Sequence, residues 1–173
     1  MTSKDQLLGF WVEYYRKINT YYYIIILLPL SLFAVKYIQL YAVFNNGGKV
    51  LREKMLSTSA MSTLIFSLVF IAVIHWLYFN TLKSKLTHDS PVEKLEAYKK
   101  IFLKYAIVLQ SYALLIVILL YIIDFPILAV VYGIILVVSS MQRPSYLRIF
   151  RKTKLTKDEK KSFLGLSEVN KEE

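Results

Sequence analysis

The sequence predicts an all-α polytopic membrane protein: four transmembrane helices after an N-terminal interfacial amphipathic helix, with spans three and four forming a tight helical hairpin. Three observations lead there. Of 173 residues, 56% are hydrophobic and 20% charged, whereas soluble domains run about 45–50% and about 25%. The excess lies in long blocks rather than in an alternating or 3.6-residue stripe. Those blocks reach the ~20 residues that a helix needs to cross a ~30 Å hydrocarbon core. Within lipid the backbone must satisfy its own hydrogen bonds, which leaves helices as the only open architecture.

Residues 1–20 form the interfacial element. Leu7, Leu8, Trp11, Tyr14, Tyr15 and Ile18 recur at three- and four-residue spacing, and Lys4, Asp5, Glu13, Arg16 and Lys17 fill most of the rest. That pattern suits a helix lying among lipid headgroups, or else one packed on a partner protein. The apolar block that follows is too long for a cleaved signal peptide and reads as a retained anchor.

The transmembrane domain covers residues 21–142. Span one runs from Tyr21 to about Phe44 with Lys36 as its only charge, and Asn45-Asn46-Gly47-Gly48 reads as a turn. Span two, 59–79, has no formal charge. Ser90-Pro91-Val92-Glu93 has the form of a capping box. It starts a helix expected to run unbroken to Ile123, ~50 Å long, so that about two turns project from the membrane. The tract from Ile101 to Met141 is long enough for two crossings, at 101–123 and 125–142. They turn at Asp124-Phe125-Pro126, where Pro disfavours helix in the residue before it and Asp124 suits an N-cap. The tail, 143–173, is basic. Thr156-Lys157-Asp158-Glu159 repeats the capping pattern ahead of a short helix, and Val169 to Glu173 is expected to fray.

Basic residues set the orientation. The N-terminal segment, the second loop and the tail carry three, five and nine of them, and four spans put all three segments on one side. The other side receives only Lys49, Arg52 and Lys54. The expectation is a multi-pass inner-membrane protein with both termini cytoplasmic. The net charge of +10 is then topogenic, attracting anionic headgroups at ~1 kcal/mol per basic residue near the surface. Arg143, Arg148, Arg151 and Lys152 are the expected anionic-lipid contacts. No nucleic-acid motif accompanies the charge.

Polar groups within the spans are the candidates for function, because they are expensive in hydrocarbon. His75 lies near the inner end of span two, and Gln110 and Ser111 lie ~10 Å into span three from the same side. A His75–Gln110 hydrogen bond between helices would contribute ~0.6–2 kcal/mol; the alternative is an inner-leaflet headgroup, quinone or proton site. Lys36 and Asp124 could form an outer-side ion pair or snorkel separately. Tyr residues cluster near span ends, as an aromatic belt does.

Several chemistries lack their residues. Without Cys there is no dithiol, thiolate metal site or Fe–S cluster. A single intramembrane His excludes bis-His haem within one chain. Zincin motifs and phosphate-cradling glycine loops are missing, and no span interior carries Asp or Glu. Neither a catalytic residue, a metal nor a cofactor is expected.

The second half, with EKLEAYKKIFLKYAIVLQSYALL, the outer turn YIIDFPIL and the ending MQRPSYLRIFRKTKLTKDEKKSFL, resembles uncharacterised four-helix inner-membrane proteins of Bacteroidetes-type bacteria. In that group an Arg-Pro pair follows the last span; here it is Arg143-Pro144. The resemblance covers roughly residues 91–164 and implies bacterial origin and four spans, without an activity. Where the group often has a charge in the third span, this chain has Gln110.

Two functions follow as expectations. The first is a non-catalytic accessory, assembly or scaffold subunit, bound to other membrane proteins or to copies of itself in a bilayer with anionic headgroups. Its support is the lack of catalytic motifs together with three docking devices: the amphipathic helix, the projecting third helix and the basic tail. The second is a small-molecule, lipid or quinone-handling protein, transporter-like, whose inner-leaflet site is lined by His75 and Gln110.

Overall fold

A computed structural model describes residues 3–55, 57–86 and 90–164 as six helices. His88 and the segment from Val169 to Glu173 lie outside the described residues, as do the side chains of Leu7, Lys49, Arg52 and Lys54.

Helix α1 runs from Ser3 to Met55 without interruption, ~80 Å in all. The separate interfacial helix of residues 1–20 is therefore not observed. No Gly or Pro stands between Ile18 and Tyr21, and Asn19 bonds back to the Tyr15 carbonyl at 3.0 Å, so the backbone continues. Asn45 to Gly48, expected to turn, are also helical. Glycine costs a helix only ~1 kcal/mol, less than breaking the ladder on either side. Pro29 sits inside this helix and is buried.

Helix α2 spans Thr58–Lys85, with the Ser57 hydroxyl accepting from the Ala60 N–H at 3.3 Å. Helix α3 spans Pro91–Ile123. Its Ser90 makes no side-chain cap bond, so the hydroxyl half of the first capping box is missing, and Pro91 stands at the helix start. Asp124 is not the N-cap of the next helix. It ends α3 in the left-handed region, φ 49°, and α4 (Ile127–Gln142) begins after Pro126. Asp tolerates that conformation better than most residues, and its carboxylate is engaged elsewhere. Helix α5 (Tyr146–Lys152) is capped by Ser145. Helix α6 (Lys157–Leu164) starts with a complete capping box: Glu159 N–H donates to Thr156 Oγ1 at 3.3 Å, and Thr156 N–H to the Glu159 carboxylate at 2.6 Å.

Contacts fix the helix directions. Tyr14 bonds Leu95 and Tyr121 bonds Leu32, so α1 and α3 run parallel. Tyr112 bonds Ser67, Gln110 bonds Ser139, and Tyr22 bonds the Ser139 carbonyl, so α2 and α4 run the other way. Helix α3 is the centre. Leu95, Tyr98, Phe102, Leu109, Ala113, Ile116 and Leu120 form a buried stripe along it, with Ala106 and Ala113 small enough to let helices approach closely.

The outer faces are apolar. Ile24, Leu27, Ile38, Phe66, Trp76, Ile122 and Val137 are all exposed, which in water would be an aggregation liability and in lipid is the expected surface. Three helices, Leu8–Gln39, Thr58–Lys85 and Pro91–Ile123, are long and apolar enough to cross a membrane, or four if α4 and α5, bent by 77°, are one broken span. This is the build of an all-helical, multi-pass membrane protein.

The three features expected to dock partners pack on one another. Trp11 is buried, stacked on Phe150 of α5 at 4.6 Å and tilted against Phe163 of α6 at 6.1 Å. Tyr14 donates to the Leu95 carbonyl at 2.8 Å, and Lys94 of α3 approaches Glu159 of α6 at 4.0 Å. The N-terminal part of α1, the first turns of α3 and the two tail helices thus form one cap, at what is here termed the tail end of the bundle.

Candidate functional site

At the tail end, His75 and Gln110 do not meet. His75 Nδ1 lies 3.1 Å from the Tyr105 hydroxyl and its Nε2 lies 3.5 Å from Gln142 Nε2. Gln110 is buried and donates to Ser139 Oγ at 2.7 Å, while its Oε1 has no partner. Ser111, one residue on, is exposed. Equal depth suggests the His75–Gln110 pair, but rotation about each helix axis separates them: Gln110 meets Ser139 of α4, whereas His75 meets Tyr105 of α3 and Gln142 of α4.

Around His75 a chain of polar groups ties α5 to α2. Lys152 donates to the Tyr78 hydroxyl at 3.2 Å and to Gln142 Oε1 at 3.1 Å. Its ammonium also lies over the Tyr78 and Phe79 rings at 4.7 and 5.1 Å. Burial, with the Arg148 and Arg151 charges adding, pushes this lysine down to about 8. It is thus a strut between helices more than a free lipid contact. Arg148 is likewise engaged: its guanidinium donates to the Met141 and Arg143 carbonyls, closing the C-terminal end of α4. Arg143 and Arg151 are exposed, with Arg143 5.5 Å from the Tyr23 ring.

At the far end Lys36 is buried and forms an ion pair with Asp124, and its ammonium lies 5.1 Å from the Tyr121 ring. Tyr121 in turn donates to the Leu32 carbonyl at 2.9 Å. The pair joins α1 to the turn between α3 and α4. Its carboxylate lies just past the C-terminal end of α3.

A groove of about 610 Å³ lies between α2 and α3 at the tail end, within the ~300–1,000 Å³ range of ligand sites. Neither His75 nor Gln110 lines it. Its apolar end is lined by Ile74, Leu77, Tyr78, Tyr105 and Val108, of which Leu77 and Val108 are half-exposed, and its charged end by Thr81, Lys85, Glu93, Glu96 and Lys100, with Ile101 and Lys104 overlapping between them. The two kinds of residue are sorted along the helices. Positions 93, 96, 100 and 104 recur at three- and four-residue spacing, so they share one face of α3. That spacing was visible in the sequence; that an apolar hollow of α2 lies opposite was not. Among the described residues no group of three or more His, Cys, Asp or Glu could hold a metal ion.

No family model, curated protein or solved structure matches this chain.

Proposed function

We propose that this protein crosses the bacterial inner membrane four times, with both termini cytoplasmic, and holds a lipid-like amphiphile in the groove between α2 and α3 without transforming it. The observation that carries this reading is the partition of the groove along its length: mostly apolar residues toward one end, lysines and glutamates toward the other. With the charged end at the inner headgroup level, an acyl chain would enter the hollow and an ionic head would meet the charges. The alternating helix directions support an even number of crossings. Helix α4 has 16 residues, or ~24 Å, and the neighbouring turns at 124–126 and 143–145 complete its passage; α5, bent 77° away from it, then lies along the surface. The second loop and the tail carry most of the basic residues, which supports an inward-facing tail end.

Of the support for an accessory subunit, the docking devices weaken, because the amphipathic segment, the start of α3 and the tail helices pack on one another. The lipid-handling reading therefore takes precedence.

Filling the groove tests it. The double variant Leu77→Trp/Val108→Trp, purified in a mild detergent, should retain about tenfold less endogenous lipid than the wild type, as read by mass spectrometry. Equal retention by the two proteins would remove the groove from the account.

A further inference from the structure

The charges of the groove follow an order. Counting outward from the apolar end, the groove face of α3 presents Lys104, then Lys100, then Glu96, then Glu93. Lys85 of α2 stands across the groove near the level of Glu96, since α2 runs opposite to α3 and His75 meets Tyr105, and the two carboxylates leave that outer level negative. Helical rise separates Lys100 from Glu96 by ~6 Å and Lys104 from Glu93 by ~16 Å. A purely anionic headgroup would be met by the lysines and then repelled by the two carboxylates beyond them. A headgroup with a phosphate near the chains and an ammonium farther out meets charges of the right sign at both levels.

Resting on the groove reading above, we propose that the groove selects phospholipids with a phosphate and a terminal primary amine. The phosphate lies between Lys100 and Lys104, where flexible ammonium groups supply charge-assisted hydrogen bonds. The amine donates to the carboxylates of Glu96 and Glu93. Glu96 is also 3.9 Å from Lys99, a long, partly exposed contact that a ligand ammonium would have to displace. A primary rather than a quaternary amine is specified by the donors it offers. Quaternary ammonium is recognised by aromatic cages, and the two tyrosines of this groove, Tyr78 and Tyr105, lie at the apolar end, below the level of the acids.

The test uses the full chain in detergent micelles, mixed with phosphatidylethanolamine, phosphatidylcholine and phosphatidylglycerol of identical acyl chains. Phospholipid bound per protein is then read by mass spectrometry after gel filtration. Wild type should retain about threefold more of the ethanolamine lipid than of either competitor. Glu93→Gln/Glu96→Gln should reduce that lipid to the level of the choline lipid while leaving the glycerol lipid unchanged or raised. Circular dichroism checks that variant, and the two single variants stand in for it if its helices are lost. Equal retention of ethanolamine and choline lipids by the wild type, or a preference that survives loss of both carboxylates, overturns the proposal. The Leu77→Trp/Val108→Trp protein separates the two layers. If it loses all three lipids while the wild type shows no headgroup preference, only the selectivity falls; if it loses none, the groove reading falls with it.

Discussion

At the scale of single residues, the bundle interior tolerates polar groups where a second polar group answers them. Gln110 and Ser139 show how incomplete that answer can be: the amide N–H₂ donates to the hydroxyl at 2.7 Å, while Oε1 has no partner. Leaving a buried polar group unmade costs ~1–3 kcal/mol, whereas removing both partners can be nearly neutral. Ser139→Ala should therefore destabilise more than Gln110→Leu, because it strands the whole amide and the leucine strands only a hydroxyl. Thermal unfolding in detergent should place Ser139→Ala lower by ~1 kcal/mol or more, with the Gln110→Leu/Ser139→Ala protein recovering most of the loss. A double variant as unstable as the two single losses combined would show that the pair is not coupled. His75 teaches a related lesson about legibility. Its depth in span two was readable from sequence, since depth follows from counting residues. Its azimuth was not, because no neighbouring charge or cap fixes rotation about the axis; the partners are Tyr105 and Gln142, and Gln110 is not among them.

Among elements, the apolar blocks were legible because composition summed over twenty residues outweighs any local exception. What stayed hidden were contacts between residues far apart in the chain. Leu8, Trp11, Tyr14 and Ile18 announce an amphipathic face, but the same face suits a headgroup layer or a protein surface. Only Phe150 and Phe163, more than a hundred residues on, decide for the protein's own cap. Thr156 and Glu159 form the reciprocal bonds that their spacing suggests, while the Ser90 hydroxyl, ahead of Glu93 at the same spacing, makes no cap bond. At the second site proline already fixes the first helical residue, so less depends on the cap. Lysine 152 governs how α5 sits on α2. Its ammonium is half-buried among neutral acceptors, and its folded-state pKa of about 8 lies below the ordinary 10.5. Between those values the unfolded chain binds more protons than the folded one, so stability rises with pH there; below about pH 8 the burial penalty is fully present. Thermal stability should thus increase from about pH 8 to 10.5, by more in the wild type than in Lys152→Met. Parallel profiles for the two proteins would remove this lysine from the docking of α5.

For the whole molecule, the alternation of helix direction matters more than the count of apolar helices. Lys36 meets Asp124, and Tyr22 meets the Ser139 carbonyl, so α1 enters beside the end of α4 and reaches the turn where α3 becomes α4. Two independent asymmetries then agree. Contacts put the start of α1, the end of α2, the start of α3 and the end of α4 at one end of the bundle. The sequence puts its basic excess on those same ends, which is where positive charge is retained during insertion. Agreement between packing and charge is what a four-crossing chain requires; with three crossings, one of these segments would lie on the opposite face. The natural chain has no Cys, so single cysteines give a clean reading. A Cys at Ser57, before α2, should react with a membrane-impermeant maleimide on cells whose outer membrane alone has been opened. A Cys at Ser84, in the last turn of α2, or at Ser145, before α5, should react only after the inner membrane is disrupted. Labelling of Ser145→Cys from outside, with Ser84→Cys protected, would make α4 a re-entrant or absent crossing. Labelling of Ser84→Cys from outside would invert the bundle and carry the charged end of the groove to the other leaflet, where the basic residues would face against the retention rule.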